Sequence, residues 1–482
     1  MTDISTIFVT LVGVYAIATT IFLISENRRP QSTVAWMLAF YLAPVLGLAF
    51  YFFFGRDRKA FSKETKLLRQ DLQPSAQPHL TSILARQDEH IAGLESGSLN
   101  RQRLMMLVRR NSSSALVRAD DVTIQQDAST FYPSLIADMK AARHSIHHQY
   151  FIWGADSFTE DLKAIMIAKA KEGVAVRLLY DPIGSFRYLS WRYLPELKAA
   201  GVHVAPTSPL YRLHTLNYRN HRKLTVIDGK IGYTGGMNIG REHLDGGPEF
   251  DVWRDTQLRV LGDGAAVLQA VFMTDWYNAV QQNLFASEHF PSPPKRKTDG
   301  VPVQILASGP DSQWAAIRQL YVYMIGSARW RVLIQSPFFV PDATLAEALT
   351  LAALAGVEVE LMISADGSGS PFPDWAANTY FMEMVAAGAR VHLYEGGYLH
   401  AKTISVDGEV CSIGSANIDI RSFNINYELN AVLYDEALTR QLEDQFERDL
   451  ANCRPFDAEE YMSRNVLLRF RDSVTRLLSP VL

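Results

Sequence analysis

One pattern occurs twice in this chain, as NHRKLTVIDGKIGYTGGMN at residues 220–238 and as LHAKTISVDGEVCSIGSAN at residues 399–417. Each copy holds a histidine, a lysine two positions later, an aspartate followed by glycine, and an asparagine at its end. Apolar residues run up to the Asp-Gly pair and resume after it, which predicts a β-hairpin. Because alternate residues of a strand share one face, the histidine and the lysine of each copy lie side by side.

The sequence around the pattern also repeats. Residues 142–153 (ARHSIHHQYFIW) resemble residues 328–340 (ARWRVLIQSPFFV), and each stretch is followed by a helix-like segment. Strands that alternate with helices predict an α/β fold with a largely parallel sheet. We expect two tandem α/β/α repeats, residues 112–290 and residues 300–482, packed around one active site and separated by the proline-rich stretch 290–300.

The repeated residue types indicate phosphoryl chemistry. A histidine is a nucleophile or a general acid and base near neutral pH, and a lysine beside it is a cation for a phosphate oxygen. Two such pairs that face each other suit in-line displacement at a phosphodiester, where one imidazole attacks and the other protonates the leaving alkoxide. The candidate catalytic residues are His221, Lys223, Asp228, His400, Lys402 and Asp407. The candidate phosphate ligands are Lys223, Lys402, Asn238 and Asn417.

Two of these residues have a simpler interpretation. Asp228 and Asp407 fall at the hairpin turns, where an aspartate commonly caps backbone amides. An ammonium group is a poor metal ligand and the histidine spacing is not that of a zinc site, so we expect no metal and no other cofactor. Cys411 and Cys453 lack the number and spacing of a zinc site or a disulfide framework, and we expect free thiols in a reducing compartment.

Other polar residues near the repeats have roles that the sequence leaves open. Gln149 and Gln335 end equivalent predicted strands, where they either line the site or pack at the edge of the core. His147 and His148 fall inside a predicted strand, and a buried structural role is the simpler interpretation for both.

The N-terminus is strongly apolar. Residues 4–25 and residues 30–55 carry no charge, and each run exceeds the roughly 20 apolar residues that cross a bilayer. A signal peptide is the alternative for the first run, but it lacks the basic segment that such a peptide needs. We therefore expect a transmembrane helical hairpin over residues 1–58, followed by a membrane-proximal helical linker over residues 59–111.

Basic residues predict the orientation of this hairpin. After the second run come Arg56, Arg58, Lys59, Lys63, Lys66 and Arg69, which favours a cytoplasmic location for the rest of the chain, although Arg28 and Arg29 in the link weaken the bias. At the other end, residues 464–482 form a basic amphipathic pattern. Such a helix either lies on anionic lipid or packs against the catalytic domain.

The doubled pattern resembles the paired signature of the phospholipase D superfamily over about residues 112–482. The two motif stretches, VWRDTQLRV (252–260) and NINYELNA (424–431) also resemble bacterial cardiolipin synthases, and the run ending in YFFFGR is similar to their membrane segment. The resemblance implies a ping-pong reaction without metal on phosphatidylglycerol, which yields cardiolipin and releases glycerol. It also implies a multi-pass protein of the bacterial inner (plasma) membrane with its catalytic part facing the cytoplasm.

The resemblance further implies individual roles. His221 attacks the phosphate of one phosphatidylglycerol, and His400 protonates the departing glycerol and then activates a hydroxyl of a second one; the reverse assignment stays open. The family places acidic residues downstream of each motif, crossed between the halves. By that pattern Glu428 orients His221 and Asp255 orients His400. The sequence leaves open whether copies of the chain form a homo-oligomer.

Three other functions compete with this interpretation. A related hydrolase would release phosphatidic acid, and another phosphatidyl transferase would use a different alcohol. A phosphodiester nuclease is disfavoured because the formal net charge is −4 and two apolar runs precede the repeats, so we expect no nucleic-acid partner. A catalytically inactive membrane scaffold is disfavoured because histidine, lysine and asparagine are intact in both halves.

Overall fold

The computed structural model describes residues 4–26, 28, 30–55, 99–209, 211, 215–286, 289–290, 300–367 and 369–479. The chain divides into two compact units, one of residues 1–61 with 210–217 and one of residues 62–209 with 218–482. The predicted linker at residues 59–111 and the predicted break at residues 290–300 therefore lie largely outside the described residues.

The N-terminal unit is helical, and its described helices are α1 Ile4–Ser25, α2 Pro30–Leu42 and α3 Pro44–Phe54. The second charge-free run thus forms two helices instead of one. Pro44 disfavours helical geometry at the residue before it, and Ala43 takes φ −143° and ψ 72°. Within the part of the chain that the structure describes, no helix reaches the length and hydropathy needed to cross a membrane. The transmembrane hairpin stays a prediction.

The second unit carries the β-strands. In chain order they are β1 Leu116–Gln125, β2 Ser145–Tyr150, β3 Ala175–Tyr180, β4 His203–Pro206, β5 Leu224–Ile227, β6 Ile231–Gly235, β7 Trp253–Arg254, β8 Gln257–Gly262, β9 Val301–Ser308, β10 Arg331–Ser336, β11 Phe339–Val340, β12 Glu358–Ser364, β13 Arg390–Tyr394, β14 Tyr398–Leu399, β15 Thr403–Val406, β16 Val410–Gly414, β17 Ile418–Asp419, β18 Glu428–Leu433 and β19 Cys453–Pro455. Two short pairs, β11–β17 and β7–β14, are separate from a sheet of 15 strands.

The large sheet is duplicated about the antiparallel pair β1 and β9. Outward from that pair the order is β8, β6, β5, β2, β3, β4 on the side of β1 and β18, β16, β15, β10, β12, β13 on the side of β9, where β19 adds an outermost strand. The predicted α/β fold with a duplicated domain is therefore confirmed. The sheet is less parallel than predicted, because the motif hairpins β5–β6 and β15–β16 are antiparallel and occupy the middle of each half.

Helices cover both faces of the sheet. The described ones are α4 Leu99–Ser112, α5 Ala128–Ala141, α6 Ser157–Lys171, α7 Tyr193–Ala199, α8 Glu242–Asp245, α9 Asp263–Val280, α10 Ala316–Ser327, α11 Ala343–Leu354, α12 Phe372–Ala386, α13 Ile420–Asn424, α14 Glu436–Leu450, α15 Ala458–Ser463 and α16 Val466–Leu477. Apolar side chains of α5 and α6 share one core with β2 and β3, and those of α10, α11 and α12 share another with β10 and β12. Helix α9 packs against the other face near the centre.

Helix α4 belongs to the core of the second half although it precedes the first. Leu104, Met105 and Val108 are buried in the cluster that also contains Leu320 and Met324 of α10. Helix α4, the described end of the predicted linker, is therefore part of the catalytic unit, because its apolar face packs into the core of the second half.

The C-terminal helix α16 packs with its polar side inward. Asp472 and Thr475 are buried, Asp472 accepts a hydrogen bond from Asn378 of α12, and Arg476 pairs with Glu383 of α12. Its apolar side chains point outward and are exposed, namely Val466, Leu467, Leu468, Phe470, Val474, Leu477 and Leu478. The helix thus docks on the catalytic unit through polar contacts and leaves an apolar stripe uncovered by the described residues.

Candidate active site

The two motif histidines are each held by a segment of the opposite half. The backbone amide of His221 donates to the carbonyl of Tyr427 (2.9 Å), where Asn220 and Tyr427 form a parallel bridge. The backbone amide of His400 donates to the carbonyl of Arg254 (2.7 Å), beside the parallel pair β7–β14. The residue that follows Tyr427 and the residue that follows Arg254 are both acidic. The crossed pairing therefore places one carboxylate beside each motif histidine.

Glu428 lies beside His221. Its carboxylate accepts from Nδ1 of His221, with Oε2 at 3.0 Å and Oε1 at 3.1 Å, and it also accepts from the hydroxyl of Ser415. Burial alone would raise the pKa of Glu428, but His221 and Lys223 outweigh burial and lower it. Because the carboxylate is an acceptor, Nδ1 of His221 carries the proton and Nε2 keeps its lone pair free.

Asp255 makes the equivalent contact with His400. Its Oδ2 lies 2.6 Å from Nδ1 of His400, and its Oδ1 accepts from the amide of Thr256 at 2.7 Å. Gly236 provides the room for this carboxylate, since a Cβ atom there would lie 2.0 Å from Oδ1 of Asp255. Both pairings join the residues that the family resemblance leads us to expect together.

The motif lysines are enclosed beside the histidines. Lys223 and Lys402 are fully buried, and each Nζ donates to the carbonyl of its own motif histidine, at 2.7 Å for Lys223 and His221. Burial lowers the pKa of Lys402 to about 8, against the partial opposition of Asp255 and Glu428. Burial also lowers the pKa of Lys223 well below 10.5, and the charge of Lys402 contributes.

The two motifs meet in one electrostatic environment. Burial lowers the pKa of His400 well below 6.5, and the charges of Lys402, Lys223 and His221 add to the effect. Burial likewise lowers the pKa of His221, where Lys223 and Lys402 act against Glu428. The pKa of each motif histidine is therefore lowered in part by the lysine of the other half, so each imidazole lies within electrostatic range of both lysines. An anion such as a phosphodiester would offset this concentrated positive charge.

The motif asparagines are buried, with their side chains engaged differently. Oδ1 of Asn238 accepts from the amide of Ile152 (3.2 Å). Oδ1 of Asn417 has no hydrogen-bond partner within the described residues, whereas its side-chain amide donates a hydrogen bond to the carboxylate of Asp419. The buried Oδ1 of Asn417 is therefore unoccupied by the described residues, whereas Oδ1 of Asn238 is bound to the backbone.

Asp228 and Asp407 cap the strands next to their hairpins. Both adopt positive φ, 53° and 56°. The carboxylate of Asp228 accepts from the amides of Arg143, His144 and Ser145, and that of Asp407 accepts from the amides of Arg329, Trp330 and Arg331. These contacts fix the start of β2 and β10 against the motif hairpin, which is a structural task.

Two buried arginine–aspartate pairs support the crossed acids. Arg222 binds Asp275 at 2.7 Å and donates from Nε to the carbonyl of Glu428. Arg254 binds Asp449 at 3.0 Å and donates from Nη1 to the carbonyl of Asp255. Each acid that contacts a motif histidine is therefore fixed through its own backbone. The sequence patterns do not single out these pairs; the one signal is that each aspartate lies on a long helix that follows the crossed acid of its half, α9 for Asp275 and α14 for Asp449.

The remaining candidates are tied into the surrounding framework. Nε2 of Gln149 donates to Asp275 (2.5 Å) and that of Gln335 donates to Asp449 (3.0 Å), so both glutamines extend the arginine–aspartate pairs. His147 stacks on Phe272 and is fully buried, as predicted for a structural histidine. Cys411 and Cys453 are free thiols. Within the described ranges, no group of three or more histidine, cysteine, aspartate and glutamate side chains is arranged to hold a metal ion.

Comparison with protein families gives two matches. Residues 135–276 and 321–450 match the family described as "Cardiolipin synthase, PLD-like domain". Residues 12–56 match the family described as "Phospholipase D-nuclease N-terminal". The first match covers both halves of the duplicated domain, including all the motif residues and the crossed acids.

Comparison with curated proteins supports the same family, and comparison with solved structures supports the fold. The chain is 38% identical over 488 residues to the major cardiolipin synthase ClsA of Bacillus subtilis, covering 100% of both chains. It is 38% identical to the cardiolipin synthase of Oceanobacillus iheyensis, covering 95% of each chain. The crystal structure of phosphatidylserine synthase from Haemophilus influenzae superposes with a TM-score of 0.61 over 80% of this chain and 100% of that one, at 14% identity, which shows a common fold.

Proposed function

This chain belongs to the bacterial cardiolipin synthases of the phospholipase D superfamily, and we propose that it works through a phosphatidyl-histidine intermediate on His221. The activity is phosphatidyl transfer: phosphatidylglycerol is the substrate and cardiolipin is the product. One observation supports the mechanism above all others. Each motif histidine has a carboxylate from the opposite half on Nδ1, which leaves its Nε2 free to act on a substrate.

In the first step Nε2 of His221 attacks the phosphorus of one phosphatidylglycerol. The bond from phosphorus to the glycerol oxygen breaks, and His400 donates its Nε2 proton to that oxygen, so free glycerol leaves. The lysine charges that lower the pKa of His400 in the free site are offset when the phosphodiester anion arrives. Binding of the substrate therefore favours the protonated form of His400 that this step needs.

In the second step a terminal hydroxyl of another phosphatidylglycerol replaces glycerol. Nε2 of His400, now neutral, accepts the hydroxyl proton while the oxygen attacks phosphorus and the bond to His221 breaks. The products are cardiolipin, neutral His221 and protonated His400, and the site is ready for the next cycle. Glu428 and Asp255 stabilise the positive charge that each imidazole carries in turn.

The lysines and asparagines would bind the phosphoryl oxygens. Lys223 and Lys402 lie two residues after the motif histidines and just before β5 and β15, and removing one such donor typically costs about 3 kcal/mol of transition-state stabilisation. Asn417 has a buried oxygen that lacks a partner among the described residues, and exchanging the positions of its amide oxygen and nitrogen would present a donor to a phosphoryl oxygen. For Asp228 and Asp407 we propose a supporting role, since their carboxylates bind backbone amides.

We propose that the protein acts at the bacterial plasma membrane as a multi-pass protein, with its catalytic unit on the cytoplasmic side. Basic residues after the second apolar run support this orientation. The outward apolar stripe of α16 supports contact of the catalytic unit with lipid. A second apolar surface follows β3, where Ile183, Phe186 and Trp191 are exposed. That loop starts at Asp181, which accepts from the amide of Asn220 (3.1 Å) next to His221.

The proposal is tested by incubating the full-length protein in detergent with pure phosphatidylglycerol and a chelator. We expect cardiolipin and free glycerol in equal amounts, with no dependence on added metal. Phosphatidic acid without cardiolipin would indicate a hydrolase. A requirement for added metal would contradict the two-histidine mechanism.

A further inference from the structure

A buried histidine lies beside the catalytic centre and has no function in the mechanism above. His243, in the short helix α8, is 3% exposed, and neither of its ring nitrogens has a hydrogen-bond partner among the described residues. Burial, with the nearby charges of His400 and the two motif lysines, lowers the pKa of His243 to about 3. At neutral pH this imidazole is therefore uncharged and offers one donor and one acceptor.

Trp253 provides a third unpartnered polar atom in the same place. Its indole Nε1 is buried and has no acceptor within the described part of the chain. The ring centres of His243 and Trp253 are 4.8 Å apart, and they lie 6.0 Å and 5.4 Å from that of His400. Three unpartnered atoms thus gather on one side of His400.

Such an arrangement is costly unless something binds there. A buried polar group without a partner loses about 1–3 kcal/mol relative to its hydrated state. The acids beside the motif histidines, in contrast, have their carboxylates satisfied, as the contacts of Glu428 and Asp255 illustrate. A hydroxylic ligand at this position would supply the missing partners.

The other half of the fold has different residues at the two matching positions, and only Oδ1 of Asn426 there is a buried atom without a partner among the described residues. His243 follows Asn238 by the same interval that separates Ser422 from Asn417. The hydroxyl of Ser422 already accepts from the amide of Asn417 (3.3 Å). Trp253 precedes Asp255 as Asn426 precedes Glu428, and Asn426 donates to Glu428 (3.4 Å). The pair of an unpartnered imidazole and an unpartnered indole N–H therefore distinguishes the His400 side from the His221 side.

We propose that His243 and Trp253 form a binding site for the hydroxyl groups of the glycerol headgroup next to His400. The inference rests on the proposed function, in which His400 protonates the departing glycerol and then deprotonates the incoming one. Both alcohols react at the same atom of His400, so one subsite serves both. The reacting oxygen faces His400, while the secondary hydroxyl of the same glycerol binds the imidazole of His243 as donor and acceptor.

This site favours a neutral polyol over an amino alcohol. The positive charges of Lys402 and Lys223 act on His243, and they would repel an ammonium headgroup such as ethanolamine at the same distance. A monohydric alcohol or water reaches His400 but leaves His243 and Trp253 unpartnered. The subsite therefore selects a glycerol acceptor through its second hydroxyl.

Competition between two acceptors tests the inference. The full-length protein is given phosphatidylglycerol as donor, with deuterated glycerol and 1-propanol together, and deuterated phosphatidylglycerol and phosphatidylpropanol are measured by mass spectrometry. The product ratio depends only on how the phosphatidyl-enzyme partitions, so a slower first step does not affect it. We expect His243→Phe to lower the glycerol-to-propanol ratio by about five- to tenfold, since one lost hydrogen bond is worth about 1–1.5 kcal/mol.

Two further variants complete the design. Trp253→Phe keeps an aromatic ring but removes the indole N–H, and it should lower the ratio by about threefold. This variant decides the question alone if His243→Phe does not fold. His147→Phe removes another buried imidazole, which binds Gln269 and Arg177, and should leave the ratio unchanged. A ratio within about twofold of the parent in His243→Phe, or in Trp253→Phe when it stands alone, overturns the inference. If the parent transfers to neither alcohol, the proposed function fails instead.

Discussion

Nδ1 of His221 lies 3.0 Å from Oε2 of Glu428, a residue 207 positions further along the chain and in the other half of the fold. The reciprocal contact joins His400 to Asp255 at 2.6 Å. Neither half therefore contains a complete pair of histidine and carboxylate. The duplicated domain has to assemble both halves before either imidazole is oriented.

Neutralising a crossed acid should slow catalysis more than it weakens substrate binding. In Glu428→Gln and Asp255→Asn the amide no longer stabilises a positively charged imidazole, and we expect kcat to fall by about 100-fold or more. KM for phosphatidylglycerol should change little, and the measurement is steady-state kinetics in mixed micelles. The matched control is Glu395→Gln, since Glu395 pairs with Arg454 on the exposed surface. Equal losses in the control and in the site variants would contradict an orienting role.

The pH profile of kcat/KM should be displaced to low pH at both ends. Burial holds the pKa of His221 below 6.5, so the imidazole stays neutral and nucleophilic at lower pH than usual. Burial also lowers the pKa of Lys402 to about 8, so its positive charge is present below that pH and is lost as the pH rises through it. The protonated form of His400, which the first step needs, is also lost as the pH rises, because burial and the motif lysines lower its pKa. We therefore expect the alkaline decline to begin no later than about pH 8. A profile that stays flat to the ordinary lysine pKa of 10.5 would argue against Lys402 as the phosphate ligand.

Removing a turn aspartate should lower the stability of the fold more than it lowers catalytic activity. Asp228 accepts from three backbone amides, and leaving them unpaired in Asp228→Ala should lower the free energy of unfolding by about 2–4 kcal/mol. The loss would appear as a lower Tm in a thermal unfolding scan. Activity per folded molecule should fall less than about tenfold. A variant with parental Tm but no turnover would show that Asp228 takes part in the reaction.

The apolar stripe of α16 should enter the lipid. A tryptophan placed at Leu467, which is 73% exposed, should lose fluorescence when the full-length protein is reconstituted with brominated anionic lipids, after subtraction of the parent signal. Lys171→Trp, on the exposed end of α6, is the control and should show no added quenching. Equal quenching at both positions, or at neither, would contradict lipid contact through this helix. The physical reason is the burial of several large apolar side chains, each worth about 1.5–3 kcal/mol.

The repeated motif made much of the fold and the centre of the site predictable. Its period-two pattern around Asp-Gly indicated the hairpins, and its duplication indicated two halves around one site. The pairing of Glu428 with His221 came from the family resemblance, because no local pattern links residues so far apart. Pro44 was the visible signal for the break between α2 and α3, and it outweighed the uniform hydrophobicity of the run.

Residues whose function depends on the assembled fold could not be predicted. Arg222 and Arg254 look like ordinary charged residues until the sheet brings Asp275 and Asp449 beside them. His243 follows its motif at a spacing that carries no signature, and only its burial beside Trp253 sets it apart. The amphipathic pattern of α16 indicated a helix with two faces. Which face the domain covers is decided by tertiary contacts.

The covalent intermediate on His221 is the most direct test of the mechanism. The full-length protein is mixed with phosphatidylglycerol carrying radioactive phosphorus, quenched at alkaline pH where phosphoryl-histidine survives, and digested for peptide mapping. We expect label on the peptide that contains His221, no label in His221→Ala, and a loss of turnover by about 10⁴-fold or more in both His221→Ala and His400→Ala, while His147→Ala retains most activity. Label on the peptide that contains His400, or cardiolipin formation without any labelled histidine, would contradict the mechanism.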